Sequence, residues 1–448
     1  MSSKHDMYIN YERSYKRRGR RGNRRNRFTI IIIIIAISLG LAAFLVIKEK
    51  VNMQRKPPAS PTEAANSVPT KEEIPTSGSI PTLTPTVTPT LTVTPQPTEA
   101  AGSDNTVQNL GEAEKRTPVV VKGVYVPASA AASSKMNKLI SMAQTTEMNA
   151  LVIDIKGDEG KISYQMDCPM AKEIGAVTNT ISDMSVLVNT LKSRNIYLIA
   201  RIVAFKDPFL AEKRPDLAIK NKDGSLFRDS NGECWVNPYE KEIWDYLIEL
   251  AEQAADVGFD EIQFDYIRFS TGKGISNADF GKQAKTKSRE EIITEFTKYA
   301  YSKIKPLGVY LSADVYGTII SSTTDAALVG QNYVEMSKNL DYICPMIYPS
   351  HFGEGNYGIK YPDLEPYDII SKVLEASETK LSQIPEDEHR AIVRPWLQDF
   401  TATWIKHHMK YGGKEIRQQI DAVYSVGYQE WLLWNAGSEY SEEGLLDE

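Results

Sequence analysis

The chain has 448 residues, with 52 Lys and Arg against 58 Asp and Glu, a formal net charge of −6. Residues 1–27 hold ten basic side chains against Asp6 and Glu12, about +8, which leaves about −14 (−6 minus 8) for the remainder. An acidic body argues against a nucleic-acid groove, three cysteines supply no disulfide framework, and no Cys/His spacing of a zinc site occurs.

The basic arm, residues 1–27, runs into FTIIIIIIAISLGLAAFLVI, Phe28 to Ile47, twenty residues without a charge. At ~1.5 Å per residue such a helix spans the ~30 Å of a bilayer's hydrocarbon core. Positive charge on its N-terminal side predicts a cytoplasmic N-terminus and an extracytoplasmic body at a cell membrane. The run exceeds the ~7–15 apolar residues of a cleaved signal peptide, which favours a retained single-pass anchor. Residues 48–117 follow as a Pro/Thr/Ser-rich segment, with PTLTPTVTPTLTVTPQPT at Pro81–Thr98. It cannot bury a core and is expected to be a disordered, extended spacer or a glycosylated stalk.

From residue 118 to 448 short β-rich runs alternate with helical patterns. Strands are predicted at Val119–Val126, Ala150–Lys156, Ile196–Phe205, Glu261–Phe269, Gly308–Tyr316, Leu340–Tyr348, Ala391–Gln398 and Glu430–Asn435. Helices are predicted near Ser134–Glu147, Ser182–Arg194, Pro238–Val257, Ser288–Lys305, Asp325–Lys338, Pro366–Leu381 and Lys414–Val426. Eight strands alternating with seven helices predict an α/β fold of the (β/α)₈ TIM-barrel class. The alternative is a doubly wound open sheet, but no GxGxxG follows the first strand.

Strand alternation then selects candidate site residues. In FDEIQFDYIRF, Phe259–Phe269, the set Ile262, Phe264 and Tyr266 suits packing against helices, which leaves Glu261, Gln263 and Asp265 facing the barrel axis. The same alternation points Asp154, Lys156, Arg201, Asp314, Tyr316, Trp396, Gln398, Trp434 and Asn435 toward one rim, joined by Arg268, Tyr348 and His351. The carboxyl ends of barrel strands are where such folds place their chemistry. Asp265 and Asp314 end neighbouring strands ~4.8 Å apart, the arrangement of a glycosidase acid pair, with Asp265 as nucleophile or charge stabiliser and Asp314 as general acid. The other rim residues are candidate substrate contacts, the aromatics offering flat faces to sugar rings. Glu159, in the turn after the second strand, and Asp399, after Gln398, are weaker candidates. Cys344 is expected to be a buried thiol, and no metal or cofactor is expected.

Taken together, KGVYVPA, NALVIDIKGDEGKISY, GFDEIQFDYIRF, LSADVYG and CPMIYPSHF, in that order between about Val121 and Asn435, resemble the bacterial putative glycoside hydrolase domain family. The resemblance implies a (β/α)₈ barrel acting on a carbohydrate, with Asp154, Asp265, Arg268, Asp314, Tyr348 and His351 at its site. GFDEIQFDYIRF is also similar to the chitinase-type strand motif, but Gln263 replaces one of its acids and Ile267 stands where its proton-donating Glu would be. An amylase-like disposition, a nucleophilic Asp on strand four and an acid on strand five, fits better, although Glu is the usual fifth-strand acid. The expected function is a membrane-anchored hydrolase of a cell-surface or environmental polysaccharide. The alternative is a non-catalytic carbohydrate-binding or wall-associated barrel.

Overall fold

The computed structural model describes residues 118–446. The basic arm, the expected membrane span and the Pro/Thr-rich segment lie outside the described residues. Among the described residues no helix is long and apolar enough to cross a membrane.

Eight parallel strands close into a barrel: β1 (Lys122–Val126), β2 (Ala150–Lys156), β3 (Tyr197–Val203), β4 (Glu261–Asp265), β5 (Tyr310–Tyr316), β6 (Tyr342–Met346), β7 in two pieces (Ile392–Val393 and Trp396–Gln398) and β8 (Trp431–Trp434). Each strand pairs with its successor, and Leu432 of β8 pairs with Gly123 of β1 to complete the ring. The break in β7 falls at Arg394 and Pro395, where proline lacks the N–H a continuous ladder requires.

The helices occupy the expected connections. Lys241–Val257 buries Ile243, Leu247, Leu250, Ala251 and Ala254 along one stripe and stops at Gly258, whose φ of 109° is the left-handed conformation glycine adopts freely. Arg289–Ile304 opens on a capping box between Ser288 and Glu291. The helix expected at Asp325–Lys338 is instead two, Thr323–Val329 and Tyr333–Ser337. They separate at Gly330, where φ is +79° and a Cβ would stand 2.8 Å from the carbonyl oxygen of Arg289.

Two cores result. Outward strand residues such as Leu151, Ile153, Ile262, Phe264, Leu311 and Ala313 pack under the helices, as the alternation requires. The barrel interior is filled by a smaller cluster including Tyr125, Val152, Ile199, Tyr342, Cys344 and Trp396. At its lower end Arg394, fully buried, reaches both carboxylate oxygens of Glu261 at 2.8 and 2.9 Å and that of Glu430 at 2.7 Å. Its guanidinium lies 3.7 Å from the Tyr342 ring centroid. Glu261 is thus a structural charge. Breaking a buried ion pair from one side strands the other charge. Arg394→Ala should therefore lower unfolding free energy by ~3–5 kcal/mol in equilibrium urea denaturation. A loss below ~1 kcal/mol would show that the plug is dispensable.

Strand four ends earlier than the sequence suggests. After Asp265 the chain enters a left-handed turn, with Tyr266 at φ 49°. Tyr266 therefore leaves the outward set to which the alternation assigned it, while Ile267 and Phe269 return to the outer core. A tyrosine at positive φ is strained and held only where its surroundings over-determine it.

Candidate active site

The C-terminal ends of the strands enclose a cavity of about 110 Å³. β3 supplies Arg201, β4 Asp265, β5 Asp314 and Tyr316, β7 Trp396 and β8 Trp434; the turns beyond β4 and β6 add Tyr266, Arg268, Tyr348 and His351. Phe264 pairs with Ala313, so the next residues along each strand, Asp265 and Asp314, stand side by side, both facing the axis.

These two acids have opposite surroundings. Asp265 accepts hydrogen bonds on one oxygen from Nε of Arg201, at 3.0 Å, and from its Nη2. Its other oxygen accepts from the backbone N–H of Tyr266 at 2.6 Å, a contact that the left-handed turn makes possible. Two donors from one guanidinium and one from the backbone orient a carboxylate firmly. Asp314 is 2 % exposed and accepts one hydrogen bond, from the Trp396 indole at 2.6 Å. Burial, and then the adjacent charge of Asp265, push its pKa well above the ordinary carboxyl value against the opposing pull of Trp396 and Arg201. One acid is held by cationic and backbone donors, and the other is buried beside it with its pKa pushed up.

Arg201 organises the remainder. Fully buried, it also donates to Asp154 at 2.6 Å and to Asp158 at 3.2 Å. Asp158 sits at the mouth with 45 % of its side chain exposed, 3.1 Å from Lys206. Its partial desolvation is outweighed by the charges of Lys206 and Arg201, which hold its carboxyl well below the usual range. Lys206 in turn lies 4.5 Å from the Tyr266 ring centroid. Arg268, 3 % exposed, packs its guanidinium among the rings of Trp235, Tyr266 and Tyr316 at 4.7–5.0 Å. His351 is buried, which pushes its pKa down to about 3 and keeps the imidazole neutral at ordinary pH.

Of the residues the sequence singled out, Arg201, Asp265, Arg268, Asp314, Tyr316, Tyr348, His351, Trp396 and Trp434 line this cavity. Four do not. Asp154 stands one layer behind, taking the Tyr125 hydroxyl at 2.6 Å and Arg201. Lys156 is fully buried, donating to the Val203 carbonyl at 2.6 Å and paired with Asp207 at 2.9 Å. Gln398 turns away from the cavity to bond Ser350 and Asp363, and Asn435 donates to the Asp399 carbonyl. Glu159 is exposed, and Asp399 binds Ser441, with burial raising its pKa to about 6.

Asp158, Tyr266, Gly317 and Met346 also line the cavity, and strand alternation did not single them out. Asp158 neighbours Glu159, and its place two residues past the end of β2 was the available signal. Tyr266 carried none, because its inward turn depends on a positive φ. All three cysteines are buried free thiols, and the described residues hold no His/Cys/Asp/Glu cluster suited to a metal ion.

Residues 123–440 match the model of a family described as "putative glycosyl hydrolase domain". No curated protein matches the chain in sequence. Among solved structures, a hypothetical protein from Ruminiclostridium thermocellum ATCC 27405 is 40 % identical, covering 43 % of this chain and 97 % of its own, with a TM-score of 0.40. The PgaB (BpsB) glycoside hydrolase domain from Bordetella bronchiseptica is 12 % identical, covering 71 % of this chain and 94 % of its own, with a TM-score of 0.51. At that identity the second likeness is one of fold.

Proposed function

This chain belongs to the putative glycosyl hydrolase domain family, and from that membership and the geometry of its rim we propose that it is a membrane-anchored, extracytoplasmic glycoside hydrolase acting on a polysaccharide. The observation that carries the proposal is the pair Asp265 and Asp314: adjacent on neighbouring strands, one held by cationic and backbone donors, the other buried with its pKa pushed up. Glycoside hydrolysis needs two carboxyl groups in those two states.

Side-by-side register favours the short separation, ~5–5.5 Å, of a retaining enzyme. In the first step a carboxylate oxygen of Asp265 attacks the anomeric carbon while Asp314 transfers its proton to the departing glycosidic oxygen, so a glycosyl ester forms as the C–O bond breaks. In the second step Asp314, now a carboxylate, takes a proton from water. The water oxygen attacks the anomeric carbon and Asp265 leaves. Arg201 fixes Asp265 in place throughout, and the neutral His351, Tyr348, Trp396 and Trp434 wall the sugar ring. The full chain, purified in detergent, should release new reducing ends from at least one member of a polysaccharide panel. Retention of a glycan without any cleavage would instead favour a carbohydrate-binding barrel.

Anchoring rests on the uncharged run Phe28–Ile47 behind ten basic residues. Protease added to intact cells should remove the domain. Protection in intact cells, with digestion after lysis, would reverse the orientation.

A further inference from the structure

A second cleft, of about 230 Å³, opens beside the catalytic cavity. The two share one wall, the turn Tyr348–Phe352 beyond β6. Tyr348 and His351 face the acid pair, while Ser350 and Phe352 face the second cleft. Its far side is built by Tyr361, Asp363, Ile405 and His407. Resting on the hydrolase reading above, we propose that this cleft is a second carbohydrate subsite, taking a further sugar unit of the same glycan whose scissile bond lies at Asp265 and Asp314.

Three features support it. First, Gln398, fully buried, ties the wall to the cleft floor. Its Oε1 accepts from the Ser350 amide at 3.1 Å and hydroxyl at 2.7 Å, and its Nε2 donates to Asp363 at 3.0 Å. The cleft is therefore rigidly registered against the catalytic cavity, as consecutive subsites for one chain must be. Second, Gly317, in the lining of the cavity, leaves room where a Cβ would stand 2.6 Å from the Met346 carbonyl oxygen and 3.3 Å from the Phe352 ring. The Phe352 ring thus borders one site and lines the other.

Third, aromatic rings run outward from the cavity toward the second cleft. Tyr348 meets Phe400 at 5.7 Å between centroids, and Phe400 stacks with Trp404 at 5.9 Å, immediately before Ile405. In the cleft itself His407 stacks on Tyr361 at 3.9 Å. Flat rings beside a buried carboxyl and a hydroxyl suit a sugar, whose faces are apolar and whose rim is polar. On the β2 side of the cavity Asp158 and Lys206 form a charged mouth.

The test uses the full chain and an oligosaccharide ladder of the glycan it cleaves. His407 is partly exposed, so His407→Ala should fold normally; Tyr361→Ala serves as the second variant. Either should raise KM about tenfold for long oligosaccharides, the worth of one stacking contact, and leave KM for the shortest cleaved substrate unchanged. Equal KM values on every chain length, or equal losses on short and long alike, would overturn the subsite. Retardation in polysaccharide-containing native gels is measured in parallel. If no glycan is cleaved, the hydrolase reading falls while the subsite stands or falls by whether the variants migrate faster than the parent.

Discussion

Asp265→Asn will abolish turnover while leaving the barrel folded. The substitution keeps the shape of the side chain and its acceptor for the Tyr266 amide, and Arg201 retains Asp154 and Asp158 as partners. In the proposed mechanism what is lost is the charge that attacks or stabilises the anomeric carbon, and a fall of ~10²–10⁴ in kcat is expected. A second consequence separates this from a merely structural role. The charge of Asp265 is, after burial, the largest influence raising the pKa of Asp314. The residual activity of Asp265→Asn should therefore lose its basic limb at a lower pH than the wild type. Wild-type kcat with an unshifted pH profile would remove Asp265 from the mechanism.

Asp314→Asn should cost ~10²–10⁴ in rate on natural glycans, the contribution of a positioned proton donor. The deficit should shrink on aryl glycosides with acidic leaving groups, which depart without protonation. The pH dependence has a definite sign. A general acid works only while protonated, so wild-type kcat/KM must fall as pH rises through the elevated pKa of Asp314, and Asp314→Asn must lack that limb. A uniform loss on good and poor leaving groups alike, with the basic limb intact, would assign the proton transfer elsewhere, with Asp399 the next buried acid to examine.

Much of this geometry was written in the strands. Alternation along β4 separated Ile262 and Phe264 from Glu261, Gln263 and Asp265 correctly, because one face of each strand must meet a layer of apolar helices. It could not tell a charge at the bottom of the barrel from one at the top. Glu261 and Asp265 share a face, yet the first is consumed by Arg394 and only the second reaches the cavity. The four charges of FDEIQFDYIRF divide four ways. Asp260 caps the strand entrance through the Leu198 amide, Glu261 plugs the floor, Asp265 faces the acid partner and Arg268 stacks among rings.

Long side chains escaped the argument for a related reason. Lys156 follows an irregularity in the strand after Asp154 that re-registers it with Ile202 of the outer core, and its ammonium is captured by Asp207 and a carbonyl rather than reaching the mouth. Gln398 is captured likewise by Ser350 and Asp363. Strand alternation gives a direction at Cβ; where a four-carbon stem ends depends on partners from distant segments. Tyr266 escaped because a single residue at φ 49° reverses the alternation without any glycine to mark the turn.

The mechanism is tested most directly by following the anomeric proton signals during the first turnovers on a cleaved oligosaccharide of known linkage. Double displacement at Asp265 predicts that the anomer first released has the configuration of the bond that was cut, with the other appearing only at the slower rate of mutarotation. Initial appearance of the opposite anomer would mean a single displacement by water, with Asp265 serving as base rather than nucleophile, and would contradict the account.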